Sequence, residues 1–405
     1  MTASTPAATP LTVRDVAVLG LPERVDIVVR DGLIAALGPG AGADITDGEV
    51  VDGAGQVVFP GLIDAHTHME KTLAGLPWHR NEHGPTLIDQ IENERRVRRE
   101  ERIDFHRQTG IHARMAIAVG TTHIRTHTDI DTEIGLAALE GILRTKADFR
   151  DALSIQIVAF PQSGMLIRPG TVELLDEALA MGAEVMGGLD PCAMDRDPKG
   201  HLDAIFALAT KHGVDVDIHV HEPGELGAFS IDLILDRVEA LGYQGRVVIS
   251  HAFALGGVDE ARWQGLVERI VRNDVAVMSH GPGGHRPAPD LKKLRAAGVR
   301  LCAGNDGIQD AWNPLQRPDM LERAYIMAYR NNLRRDDDIE DILRTVTEGN
   351  AAVIGAANYG LAVGRAADLV VMPGENHVEA MVARRPRTLV VKGGRVTARD
   401  GACVA

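Results

Sequence analysis

Short apolar runs and amphipathic stretches alternate through the middle of the chain, from about residue 60 to residue 359. The apolar runs at 62–66, 123–127, 155–160, 184–188, 214–219, 246–251, 275–280 and 299–303 predict eight strands. Between them, stretches such as 172–181, 201–211, 231–241 and 259–271 carry the apolar spacing of helices. Strands alternating with helices point to an α/β fold with a parallel sheet, and eight such units point to a (β/α)8 TIM barrel. The segment exceeds the roughly 250 residues of a plain barrel, so it carries insertions. The longest, 74–99, follows the first strand. It begins Gly75-Leu76-Pro77-Trp78-His79, passes into a strongly charged helix, and is a candidate lid.

The two ends follow a different pattern. Extended, β-branched residues at 25–29 meet the turn Asp31-Gly32 before 33–37, and Asp52-Gly53-Ala54-Gly55 precedes 57–59. The C-terminal end repeats this style, with apolar runs at 368–372 and 388–392 and the turn Gly393-Gly394 before 395–397. The expected organisation is a small β-sandwich domain built from both termini, 1–59 and 360–405, around a catalytic barrel at 60–359. No fixed-period repeat is visible.

Polar residues then collect where the barrel strands are expected to end, which is where this fold class keeps its reactive groups. His66 and His68 are two apart on a strand, so they share a face. His219 closes the fifth run and Asp306 follows the eighth. Three imidazoles and one carboxylate suit a single divalent metal, Zn2+ or Fe2+, that also activates a water. Glu222, three residues after His219, is placed to move that water's proton without ligating, and His251 to orient the water or hold developing charge. Asp306 would serve as ligand and catalytic group together. His221 shares the face of His219 and is a candidate substrate contact, as is Gln162, whose amide both donates and accepts. His127, Asp129, His280, Asp190 and Asp310 are candidates to orient the ligands.

Composition narrows this picture. Aromatics are 3% of the 405 residues, so the core is built mainly of Ala, Val, Leu and Ile. In so aromatic-poor a chain, Trp78 and Trp312 are candidate walls for a planar substrate. The net charge of -14 argues against nucleic acid as a partner. No apolar stretch reaches about 18 residues, so no membrane span is expected. The polar start, 1–10, has no basic region followed by an apolar run, and no signal peptide is expected. Three cysteines, Cys192, Cys302 and Cys403, fit no zinc knuckle or disulfide framework and suggest a cytoplasmic setting. A homo-oligomer is the expected assembly.

Together, Pro60-Gly61-Leu62-Ile63-Asp64-Ala65-His66-Thr67-His68, His219-x-x-Glu222, Ser250-His251 and Asn305-Asp306 resemble the amidohydrolase superfamily, and within it the cytosine deaminase branch. The run Gly-Arg-Ala-Ala-Asp-Leu-Val-Val at 364–371 is similar to that family's closing β domain. The resemblance implies a mononuclear Zn2+ or Fe2+ site on His66, His68, His219 and Asp306, with Glu222 and His251 catalytic and Gln162 on the substrate. Met69-Glu70-Lys71, Gly187-Gly188-Leu189-Asp190-Pro191 and His219-Val220-His221 look closer to the N-alkylammelide aminohydrolases of triazine degradation. Glu222 keeps the deaminase residue where those enzymes have an aspartate. Cytosine deaminases carry a second acid directly after the metal aspartate, whereas this chain has Gly307, which argues against cytosine itself.

The expected activity is hydrolysis of an exocyclic C–N bond on a small nitrogen heterocycle such as an aminopyrimidine or aminotriazine. A ring-opening cyclic amidase of the hydantoinase type is the first alternative. Those enzymes usually use a bridging lysine at strand four, and the run at 184–188 ends without one. A catalytically inactive scaffold is the second alternative, and the complete ligand set argues against it.

Overall fold

The computed structural model describes residues 9–284 and 286–405; the polar residues 1–8 read above lie outside it. Eight parallel strands run in sequence order as Leu62–Thr67, Thr121–Asp129, Ser154–Phe160, Val185–Leu189, Asp215–His219, Val247–Ser250, Ala276–Ser279 and Arg300–Ala303. They are numbered one to eight below. Side-chain alternation sorts each strand. On strand five, Val216 and Ile218 join the cluster that packs against the helices, while Asp217 and His219 lie on the opposite face of the strand. Ala65, Val248, Met278 and Cys302 form a separate small cluster.

The barrel closes between strands eight and one. A parallel bridge joins Thr67 to Asp306, and the Asp306 amide donates to the His66 carbonyl at 2.9 Å. Asn350 clamps the seam from below, its Nδ2 donating to the carbonyls of Ile63 (2.6 Å) and Ala303 (2.9 Å). Closure also needs a glycine. A Cβ on Gly304 would lie 2.2 Å from the His66 carbonyl oxygen, so no side chain fits where strand eight crosses strand one.

Helices cover the outside, and two of them begin earlier than their apolar spacing suggests. The helix expected at 201–211 is Pro198–His212, because Asp197 caps the Gly200 amide and Pro198 fits the first turn. The helix expected at 231–241 is Gly224–Leu241, extended by about two turns that bury Gly227 and Ala228.

The terminal strands form one folded sheet rather than separate hairpins. Its pivot is Leu11–Val18, a strand that the sequence pattern did not single out. Leu11–Arg14 pairs with Glu49–Asp52, and Ala17–Val18 pairs with Val57–Val58; an irregularity at Asp15, with φ 52°, lies between them. The turns Asp31-Gly32 and Gly393-Gly394 both have two positive φ values, the signature of tight hairpins. Val13, Ile27, Leu369 and Val391 fill the space between the folded halves, while Phe59, Val370 and Val390 face the barrel. This arrangement is a small β-sandwich seated on the barrel.

The insertion after strand one becomes a roof. Its helix, Leu87–Glu101, starts at a capping box between Thr86 and Asp89. Ile91 packs with Phe160, Leu189 and Met194 at the tops of strands three and four. Arg98 pairs with Asp129 at 2.7 Å and with Glu94. Among the described residues, no helix is long and apolar enough to cross a membrane.

Candidate metal centre and cavity

His66, His68, His219 and Asp306 converge at the barrel mouth, each offering a ligand atom within 4.8 Å of the others. Two smaller groups, His66–His127–Asp217 and His251–His280–Asp306, each share one residue with this set.

The tautomers show which ring atoms face inward. His68 Nδ1 lies 2.9 Å from the His127 carbonyl, which can only accept, so Nδ1 carries a proton, and in the neutral ring Nε2 is the nitrogen left bare to ligate. Ser250 donates its hydroxyl proton to Asp217 at 2.6 Å, so at 3.1 Å it accepts from His66 Nδ1. The Nε2 of His66, a ring that burial keeps neutral, is therefore unprotonated, and among the described residues it has no hydrogen-bond partner, nor has either nitrogen of His219. These lone pairs face a carboxylate, with Asp306 Oδ1 3.3 Å from His68 Nε2 and 3.7 Å from His66 Nε2. Acceptors crowded this closely call for a cation between them, so the donor set fits a divalent metal. Burial drives the His66 and His219 pKa values well below the ordinary imidazole range, keeping both rings in the neutral form that ligates.

Below the centre, Asp217 is held by Arg125 at 3.1 Å, and Arg125 is itself fixed by Gln156 at 2.7 Å. On the strand-eight side, Asp64 accepts from the Asn305 amide at 3.0 Å and from its side chain at 2.7 Å. Burial raises the Asp64 pKa to about 6. Arg323 adds bonds to the carbonyls of Asn305 (2.9 Å) and His280. Asp217, Asp64, Arg125 and Arg323 were not singled out from the sequence. Asp217 carried a usable signal, because it precedes His219 by two and so shares its face.

A cavity of about 400 Å3 opens above the centre, with His68, His219 and Asp306 in its lining. Gln162 and Trp312 line it as expected. Lys71, which the sequence showed only within a motif, joins them. Its ammonium is buried against the Gln162 amide oxygen, lies 3.6 Å from Glu94, and sits 5.5 Å from the Trp312 ring centre. Gln162 in turn donates to Glu94 at 2.8 Å.

Trp78 does not reach this cavity. It is 80% exposed and lines a separate shallow groove with Pro77, His79 and Pro314. The expectation of a substrate wall there is corrected: the insertion's tip stays in solvent, and its helix does the roofing.

Glu222 calls for a larger correction. Its carboxylate accepts from the backbone amides of Cys192 (2.9 Å) and Ala193 (2.6 Å) and from the Ser230 hydroxyl. Oε1 is thus committed to the turn after strand four and Oε2 to Ser230 on the helix Gly224–Leu241, and Glu222 is not among the residues lining the cavity. Burial raises its pKa, against the pull of the Ser230 hydrogen bond. Strand five ends at His219, and beyond it the amides of Cys192 and Ala193 and the Ser230 hydroxyl draw the Glu222 side chain away from the cavity.

His221, expected as a substrate contact, lines the cavity. Asp190 accepts its backbone amide at 2.6 Å and its Nδ1–H at 2.9 Å, so Nε2 is the free basic nitrogen of a ring in the cavity lining. That ring stacks on His251 at 4.2 Å. His251, in a left-handed conformation at φ 70°, contacts His280 Nδ1 at 3.0 Å, and its Nε2 is buried without a hydrogen-bond partner among the described residues. A non-glycine residue held at positive φ is a strained choice of the kind found at functional sites.

Gly307 also has a structural explanation. A Cβ there would lie 2.1 Å from Asp310 Oδ2. Asp310 is pinned by the amides of Trp312 (2.9 Å) and Asn313 (2.7 Å), and it lines the cavity. The space that a second acid's side chain would need is taken by another carboxylate.

Comparison with known proteins agrees with this geometry. The sequence profile described as "Amidohydrolase family" matches residues 49–405. N-isopropylammelide isopropyl amidohydrolase of Pseudomonas sp. (strain ADP) is 33% identical over 367 residues, covering 88% of this chain and 89% of its own. The crystal structure of N-isopropylammelide isopropylaminohydrolase from Burkholderia multivorans superposes with a TM-score of 0.93 at 45% identity, covering 98% of this chain and all of that one. The 5-methylcytosine deaminase of Klebsiella pneumoniae, liganded with 5-fluorocytosine, follows at 0.86 and 26%, covering 96% of this chain and 97% of its own. On this evidence the chain is an enzyme, a hydrolase that belongs to the amidohydrolase family.

Proposed function

We propose that this enzyme displaces an exocyclic amine from a small nitrogen heterocycle that also carries oxo groups. The observation that carries the reading is the paired orientation of two imidazoles: their Nδ1 atoms are bonded outward and their Nε2 atoms face Asp306, beside a cavity that a polar wall and His221 line. Similarity to aminohydrolases of ammelide and cytosine derivatives supports the same class.

His66, His68, His219 and Asp306 hold one divalent ion, Zn2+ or Fe2+. Such an ion supplies Lewis acidity and brings the pKa of a water towards about 7. His221 takes the water's proton at Nε2 and delivers it to the leaving nitrogen, with Asp190 holding the ring and steadying its cationic form. His251 Nε2 orients the water. Lys71 has three N–H donors; one goes to the Gln162 amide oxygen, and Glu94 at 3.6 Å balances the charge. A second N–H meets a ring oxygen, and Trp312 covers the ring's face. Glu222 keeps the turn below His221 in place. A ring-opening amidase with a bridging lysine has no support here, since strand four ends in Leu189 and is followed by Asp190.

Elemental analysis of active protein is expected to find one metal per chain. A panel of amino- and alkylamino-pyrimidines and -triazines is expected to release amine, and chelation to abolish that release. No amine release from any member by metal-loaded protein would overturn the proposal.

A further inference from the structure

Gln162 and Gln316 both line the cavity, and their amides are committed differently. Lys71 can only donate, so the Gln162 oxygen faces it, while the Gln162 nitrogen donates to Glu94 at 2.8 Å. Both ends of the Gln162 amide are thus satisfied within the protein. The Gln316 oxygen faces Arg323, a guanidinium that also can only donate, so the direction of this amide is fixed as well. Its nitrogen is different: among the described residues, Gln316 Nε2 has no acceptor for its N–H groups.

The mounting of Gln316 is firm. Arg323 is 1% exposed and also donates to the carbonyls of Asn305 (2.9 Å) and His280. It therefore ties Gln316 to the residues that follow strands eight and seven. Gln162 follows strand three, across the barrel. Gln309 Nε2 donates to the Gln316 carbonyl at 3.0 Å, and Gln316 itself sits at φ 78°, a left-handed conformation that glycine adopts without cost. A long polar side chain at a strained backbone position, with its oxygen anchored and its nitrogen bare, is organised to offer that nitrogen to a ligand.

We infer that Gln316 is a specificity-determining residue: its Nε2 donates to an acceptor on the edge of the substrate ring that faces strands seven and eight, the kind of contact expected of Gln162. An oxo oxygen or a bare ring nitrogen is accepted there, and an amino group, which brings only donors, is rejected. The inference rests on the aminohydrolase reading above and adds which side chain reads that edge. Two other amides line the cavity. The oxygen of Asn313 takes the Leu315 amide two residues on, as turns do, and among the described residues no partner fixes which end of the Gln90 side chain points inward.

The test compares two triazines with the same methylamino leaving group, one carrying two oxo groups and one in which a single oxo is replaced by amino. The readout is methylamine release by metal-loaded enzyme. Wild type should favour the dioxo compound in kcat/KM by at least about tenfold. Gln316→Glu keeps an oxygen for Arg323 but turns the donor into an acceptor, so it should lower that preference at least about tenfold. Gln316→Met, which has neither group, should weaken calorimetric binding of the trioxotriazine product by about three- to tenfold, the usual worth of one neutral hydrogen bond. A preference that Gln316→Glu leaves unchanged would overturn the inference, and so would wild-type product affinity in Gln316→Met. If Gln316→Glu fails to fold, the Gln316→Met measurement decides alone. No methylamine release from either compound by wild type would instead sink the aminohydrolase reading, with product binding still deciding the role of Gln316.

Discussion

Ser250 is a sharp place to test how the metal centre is held, because its single hydroxyl joins two buried groups. It donates to Asp217 at 2.6 Å and accepts from His66 Nδ1 at 3.1 Å. Ser250→Ala removes both bonds with almost no change in volume. His66 then loses the partner that keeps its proton on Nδ1 and its Nε2 bare. Loss of such an orienting partner typically weakens metal binding by about 10- to 100-fold. Asp217 loses one donor but keeps Arg125 at 3.1 Å, so the stability cost should fall at about 1–3 kcal/mol, the range for one buried acceptor left short. Competition against a chromophoric chelator measures the first effect, and urea denaturation of the metal-free protein measures the second. Ser250→Thr, which keeps the hydroxyl, should stay within about threefold of wild type in metal affinity. Wild-type affinity in Ser250→Ala would refute the tautomer argument, and with it the main reason for reading these histidines as ligands.

Three further outcomes are expected. His221→Asn should lower kcat by about 10^2- to 10^4-fold, the usual worth of a proton carrier, while Glu222→Gln, whose amide can still accept from Cys192 and Ala193, should lower it less than about tenfold. The reverse order, measured by steady-state kinetics on metal-loaded protein, would return the proton to Glu222. Gly304→Ala should cost about 3 kcal/mol or more in chemical denaturation, because the new Cβ meets a backbone oxygen that cannot swing away; a wild-type midpoint would show that the seam is looser than described. Burial lifts the Asp310 pKa to about 6, so the folded state favours its protonated form. Its contribution to stability is therefore lost as pH rises from about 4 to about 6, up to about 3 kcal/mol, and Asp310→Asn should flatten that part of the urea-midpoint profile. Identical profiles would show that Asp310 titrates as an ordinary exposed acid.

Much of this protein was written along the chain. Strand and helix periods differ, so alternating apolar runs and amphipathic stretches were enough to announce a barrel, and positive-φ turns such as Asp31-Gly32 announced the sandwich hairpins. The period of two also placed His66 beside His68, and His219 beside His221, before any coordinates. Other features depended on long-range packing. Leu11–Val18 escaped notice because a pivot strand that changes partners midway has no clean pattern of its own. Lys71 gave no signal because a lysine joins a cavity only when a roof helix brings Glu94 down beside it. Trp78 and Trp312 were equally good candidates as residues, and only the course of the insertion separated them. Glu222 was singled out from its place three residues after His219, yet past the end of a strand only tertiary contacts set a side chain's direction, and the amides of Cys192 and Ala193 hold this one away from the cavity. The sequence by itself determined which elements form and which residues stand at their ends. Which way the end residues turn, and which protons they keep, was decided by contacts such as Ser250 with His66, 184 positions apart, that exist only once the barrel has closed.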